Sequence, residues 1–280
     1  MKNIPLTHFF HIEYVPKELQ MVFLREYAAN GAEHIALSDA MILNIMANAN
    51  DRFFYKDLVK EGGISYLDAH APFGKFLDLN CPVLHKEKIL RAYMAMEIAS
   101  EFGINTITFH VGSPCHENYT ADELHAEALR TVEELLPYAE KCGLTFCIEN
   151  VCNPSATPER LLDIKNHFST DTLGFCFDSG HAHLAECKEK LPDGTILAKM
   201  FPHIVTCHLH DNDGTIDNHR IPGNGTTDWK KLMPLLAKAP RLKCIQNETS
   251  EPFQKNVSPG ASIRTMLESF ESILKNIQFE

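Results

Sequence analysis

The sequence is short of positive charge: 26 Lys and Arg stand against 37 Asp and Glu, a formal net charge of −11 over 280 residues. Such a chain repels a polyanion unless its basic residues cluster on one face. They are scattered, with short runs only at Lys86–Lys88 and Lys230–Lys231, so nucleic acid is not an expected partner. No apolar run reaches the ~18 residues of a membrane span. The opening MKNIPLTHFFHIEY lacks the pattern of a signal peptide, and a cytoplasmic protein is the default expectation. The nine cysteines form no CxxC pair. Their setting in LTFCIEN and LGFCFD predicts buried, reduced thiols rather than disulfides. Linkers, low-complexity tracts and a Gly-rich dinucleotide fingerprint are all missing as well, which predicts one domain over residues 1–280.

What the sequence does have is alternation. Hydrophobic residues make up 44% of the chain, enough for a large core. β-rich stretches recur at 7–12, 33–38, 64–70, 104–110, 144–149, 173–178, 203–210 and 243–248. Helical patterns separate them. Lys86 to Phe102 is apolar at helical spacing and stops before Gly103. Thr120-Ala-Asp-Glu123 is a capping-box signature, Pro158 follows Thr157 at a first-turn position, and Asp228-Trp229 opens another helix. Eight strands alternating with helices predict an α/β fold, a (β/α)8 barrel in which all strand C-termini open on one face.

The strand ends carry the chemistry. His70 closes the third, His110 the fourth, Glu149 the fifth, Asp178 and His181 the sixth, His208 and His210 the seventh, and Glu248 the eighth. Any one of these alone reads as an ordinary hydrogen-bonded or boundary residue. Gathered on one barrel mouth, the carboxylates would repel one another and need cations to neutralise them. Mixed imidazole and carboxylate donors suit Mn²⁺, Co²⁺, Zn²⁺ or Fe²⁺, and carboxylates with water admit Mg²⁺. A divalent metal cofactor is therefore expected, its identity open.

The spaced set FHVGS, IEN, FDSGHAH, HLHD, PGNGTTDW and NETS resembles the xylose-isomerase-like barrels, which include sugar and sugar-phosphate isomerases and epimerases and endonuclease IV. The resemblance runs from about His70 to Glu248. It implies a shared metal site of Glu149, Asp178, His208 and Glu248, with His208 preferred to His210 because it stands three residues before Asp211. Similarity to the isomerases gives His181 a substrate-hydroxyl or proton-relay role. Similarity to endonuclease IV adds His70, His110, Asp217 and His219 as further metal or substrate ligands, and His210 stays a candidate beside them.

The chemistry implied is proton transfer α to a ketose carbonyl through an enediolate. One of Glu149 and Glu248 removes the proton and the other returns it. Return to the same carbon epimerises; return to its neighbour isomerises. Arg220 is a candidate for phosphate or hydroxyl contact, with Gly223 and Gly225 offering loop amides. Phe9, His11, Phe73 and Trp229 are candidate walls for a small sugar or sugar-phosphate substrate. A phosphodiester hydrolase acting on abasic DNA, a metal-dependent dehydratase or lyase, and a non-catalytic sugar-binding barrel are the rival readings. Self-association is left open.

Overall fold

The computed structural model describes residues 4–112, 118–250 and 259–275. Eight parallel strands close into a barrel in chain order: β1 Leu6–His8, β2 His34–Leu37, β3 Ser65–His70, β4 Thr106–His110, β5 Thr145–Glu149, β6 Leu173–Asp178, β7 Ile204–Leu209 and β8 Cys244–Asn247. The helices are α1 Gln20–Ala29, α2 Asp39–Ala47, α3 Asp51–Gly62, α4 His85–Glu101, α5 Ala121–Lys141, α6 Pro158–His167, α7 Ser179–Glu189, α8 Thr195–Met200, α9 Trp229–Leu236 and α10 Pro259–Lys275.

The local signals in the sequence are realised as hydrogen bonds. Thr120 and Glu123 form a reciprocal capping box at the start of α5. The Thr157 hydroxyl accepts from Arg160 N ahead of Pro158, and the Asp228 carboxylate accepts from Lys231 N. Each satisfies an amide that the first helical turn leaves without a partner.

One expectation fails at the start of the chain. The stretch 7–12 was to be strand throughout, but β1 ends at His8. Phe9 N still donates to Asn247 O at 2.8 Å; β8 ends there, so the backbone beyond has no ladder to join. It folds instead into a short 3-10 turn at Ile12–Tyr14, which delivers Phe9 and His11 to the barrel mouth.

Outward-facing strand residues such as Phe109 and Phe146, stacked 4.4 Å apart, belong to the buried apolar shell between sheet and helices. The barrel interior is more polar. Asp68 on β3 is fully buried and accepts from Thr106 Oγ1 on β4 at 2.6 Å and from Thr206 Oγ1 on β7 at 2.9 Å. Burial pushes its carboxyl above the usual range, with the threonine hydrogen bonds acting in the opposite direction. The eight described cysteines are free, as expected, but Cys152 and Cys187 are exposed rather than buried. Cys115 lies outside the described residues. Among the described residues no helix is long and apolar enough to cross a membrane.

Candidate active site

Pairing in the sheet puts the strand ends level with one another. His110 pairs with Glu149, and Asp178 with His208. Glu149, whose side chain is only 1% exposed, is the hub. Its Oε2 lies 3.6 Å from His70 Nε2, 3.5 Å from His110 Nε2 and 3.3 Å from His208 Nδ1, and its Oε1 lies 3.0 Å from His181 Nδ1. Glu248 reaches the same His208 Nδ1 at 3.2 Å. Asp178 stands 3.4 Å from His181 Nδ1 and 3.1 Å from His210 Nε2. Asp217 closes the other side, 3.0 Å from His181 Nε2, 3.4 Å from His219 Nε2 and 3.8 Å from His210 Nδ1.

The donors therefore fall into overlapping groups, each compact enough for one ion: His70, Glu149 and His208; Asp178, His208 and Glu248; Glu149, Asp178 and His181; His181, His210, Asp217 and His219. The four residues of the expected shared site are spread over three of these groups, and Glu149 and Glu248 never fall in the same one. The further candidates surround them, and His210 belongs with Asp217 and His219.

Neighbouring groups hold these side chains in place. His70 Nδ1 donates to Ala71 O at 2.8 Å and His219 Nδ1 to Glu248 O at 2.9 Å. A carbonyl can only accept, so Nδ1 carries a proton in both rings, and it is the neutral ring that turns an Nε2 lone pair into the site. Asn150 bridges two strand ends, donating to Asp178 O and accepting from Asp178 N at 2.9 and 2.8 Å. Asp178 also caps α7, accepting from His181 N at 2.6 Å. A Cβ at Gly180 would collide with the His210 ring, so this turn requires glycine. His219 stacks on His210 at 3.8 Å and holds a left-handed backbone, φ 43°, the kind of strain that persists where surroundings enforce it.

The electrostatics are those of a cation site. Burial alone would raise the Glu149 carboxyl, but His208 and His110 hold it well below the usual carboxylate range. Glu248 is likewise depressed against its burial, by His208 and then His219. Burial opposes charge on His219, yet Asp217 and Glu248 lift it to about 9. Glu149 Oε2, His208 Nδ1, His181 Nδ1 and His210 Nδ1 are buried and make no hydrogen bond, an expensive condition for polar atoms. Separations of 3.2 and 3.3 Å about His208 Nδ1 are close to what two atoms keep when each lies ~2.0–2.2 Å from a common ion. The residues fit a divalent metal.

Above them opens a cavity of about 450 Å³, lined by Phe9, His11, Phe73, His70, Asp217, His219 and Glu248. Glu13, Tyr14 and Asp39 line it too; the sequence reading missed these, since nothing local marks a helix-start aspartate or a turn glutamate as facing a distant strand end. No Lys or Arg lines this mouth among the described residues.

Three expected substrate contacts go elsewhere. The Arg220 guanidinium pairs with Asp213 at 2.6 Å, and Trp229 is 9% exposed in the core with Nε1 donating to Asp211 at 2.8 Å. Gly223 N also donates to Asp211, at 2.9 Å, and Gly225 packs against Asp211 and Asn212. The fully buried Asp211 carboxylate collects these donors with Asn212 N, Thr227 N and Thr227 Oγ1. It organises the loop after β7, so the Gly223 amide and that indole are not turned to a ligand.

An uncharacterized protein of Methanocaldococcus jannaschii is 31% identical over 220 residues, 73% of this chain and 70% of that one. A solved IolI protein with a bound zinc atom superposes with a TM-score of 0.75 at 18% identity, over 99% of this chain and 100% of that one. A D-psicose 3-epimerase of Clostridium cellulolyticum, solved with D-tagatose, gives 0.71 at 13% identity over 97% of each chain. Residues 25–271 match the family model of the xylose isomerase-like TIM barrel, and the chain belongs to that family.

Proposed function

We propose that the protein is a divalent-metal-dependent isomerase or epimerase of a small keto-sugar. The observation that carries this is the placement of Glu149 and Glu248 on either side of His208 Nδ1, at 3.3 and 3.2 Å. Glu248 lines the mouth, and Glu149 is buried behind it, 3.6 Å from the mouth residue His70. A sugar seated between them meets two carboxylates from non-adjacent strands. One takes the proton α to the carbonyl and the other returns it. His181 Nδ1, 3.0 Å from Glu149 Oε1 and backed by Asp217, is placed to relay that proton. Glu149, Asp178, His208 and Glu248 would hold the metal, which when bound polarises the carbonyl and stabilises the charge developing on its oxygen. The aromatic wall of Phe9 and Phe73 suits a sugar face, and a mouth whose described lining holds no lysine or arginine favours an unphosphorylated one. The D-psicose 3-epimerase that shares the fold supports this reading. Incubation with ketoses, ketose phosphates and keto-inositols plus Mn²⁺ in D₂O tests it, through deuterium at a single carbon.

A second reading is favoured by one observation. His70 and His110 both face Glu149 Oε2, and His181, Asp217 and His219 form a further group. With Asp178, His208 and Glu248 these make nine donors, more than one ion needs, which suits the several-metal hydrolysis of a phosphodiester. Cleavage of an abasic-site duplex, assayed beside the sugars with no deuterium incorporated in any of them, would replace the first reading by this one.

A further inference from the structure

Beside the mouth runs a second cavity, about 510 Å³, that reaches the site at Asn150 and His181. His181 lines this groove and Asp217 lines the mouth, and the two side chains meet at 3.0 Å. The cavities thus flank one pair of site residues. Much of the groove's wall is aliphatic, formed by Val151, Pro154 and Ala156 after β5, Ala185 on α7, Leu191, and Ile196 on α8, with Asn153 and Thr157 as uncharged polar neighbours. Its charges cancel: Lys199 is paired with Glu159 at 2.6 Å, and Lys188 and Glu189 are adjacent on α7. An anionic occupant finds no excess positive charge here, and a bare monosaccharide, already accommodated by the mouth, leaves it unfilled.

We infer that the groove is a subsite for an uncharged apolar substituent, so that the substrate is a keto-sugar glycoside with an aryl or alkyl aglycone rather than a free ketose. This rests on the proton-transfer reading and narrows it. A substituted anomeric carbon cannot open to an aldehyde, so the carbonyl lies at another ring carbon. The reaction is then epimerisation: the adjacent C–H bond breaks, its electron pair enters the enolate, and the proton is held by one glutamate. A proton returns to the same carbon from the opposite face. No oxidant is consumed.

Equilibrium binding of phenyl and methyl glucopyranosides to the Mn²⁺-loaded protein tests the subsite, and D₂O exchange of the matching keto-glycosides tests the reaction. The phenyl compound should bind tighter by about tenfold or more, the order expected for burying one ring. That ratio should fall toward one in Ala185→Trp, which fills the groove, and in Leu191→Asp, an exposed substitution that leaves the core untouched. Equal affinities in the wild type, or a preference that survives both substitutions, would overturn the assignment. A preference lost in both variants, with no exchange in either keto-glycoside, would uphold the groove and refute the proton-transfer reading.

Discussion

Glu149 Oε2 and His208 Nδ1 lie 3.3 Å apart in full burial and form no hydrogen bond with each other. Their strands set this spacing, and His208 attracts the Glu149 carboxylate through charge without a hydrogen bond between them. A shared cation would supply what both lack, and it would bind the folded chain alone because four strands must converge to build the site. Chelation should therefore lower the melting temperature and added Mn²⁺ or Zn²⁺ restore it. In Asp178→Asn that response should shrink. A melting curve indifferent to both chelator and metal would exclude a site of useful affinity.

Glu149→Gln and Glu248→Gln should each reduce turnover by ~100-fold or more, the scale of a lost general acid or base, while keeping side-chain volume. Metal content has to be measured on each, because both residues are also proposed ligands. The two-base arrangement predicts that one variant still exchanges the α-proton with D₂O without forming product. Near-normal turnover in two metal-loaded variants would pass the base role to His181 or His210.

With a net charge of −11 and a mouth bearing Glu13, Asp39, Asp217 and Glu248, no salt-sensitive binding to an abasic duplex is expected at physiological ionic strength. Fluorescence anisotropy over a salt series decides this; tight binding that weakens steeply with salt would reverse the ranking of the two readings.

Asp211 accepts from five donors spread over residues 212 to 229. Asp211→Ala strands those donors and should cost on the order of 3 kcal/mol, read by urea denaturation. The chain's only tryptophan, Trp229, donates to this carboxylate, so its emission should shift red in the variant. An unchanged midpoint and spectrum would show that the loop is ordered by other contacts.

His8 is 2% exposed between Tyr27 and Phe270, and Asn247 Nδ2 donates to its Nδ1. Burial, and then His34, push it from 6.5 down to about 3. A base depressed in the folded state stabilises fully above its unfolded value and loses that contribution as pH falls from 6.5 toward 3. Between about pH 8 and about pH 5 the loss is about 2 kcal/mol. His8→Gln, which retains an acceptor for Asn247, should flatten the wild-type stability profile by that amount; parallel profiles would sink the assignment.

Much of this architecture was legible in the chain itself. Strand alternation, capping boxes and a first-turn proline are local patterns whose physics acts over a few residues, and eight strand ends followed from them within a residue or two, β1 excepted. Because parallel strands in a closed barrel must end on one face, the gathering of Glu149, Asp178, His208 and Glu248 at one barrel mouth was legible as well, but their division among overlapping donor groups was not. Contacts that depend on which distant atom arrives first were not. Arg220 and Trp229 carry chemistry that suits a ligand, and only the folded loop shows Asp213 and Asp211 reaching them. Glu13 lines the mouth because β1 stops where β8 stops, a matter of barrel closure, and Asp39 because α2 opens directly after β2. Asp68 is held inside by threonines from two other strands. Short-range order was set by the sequence alone, while long-range pairing of polar groups was decided by the tertiary structure, since a buried donor or acceptor takes whichever partner the closed barrel brings within reach.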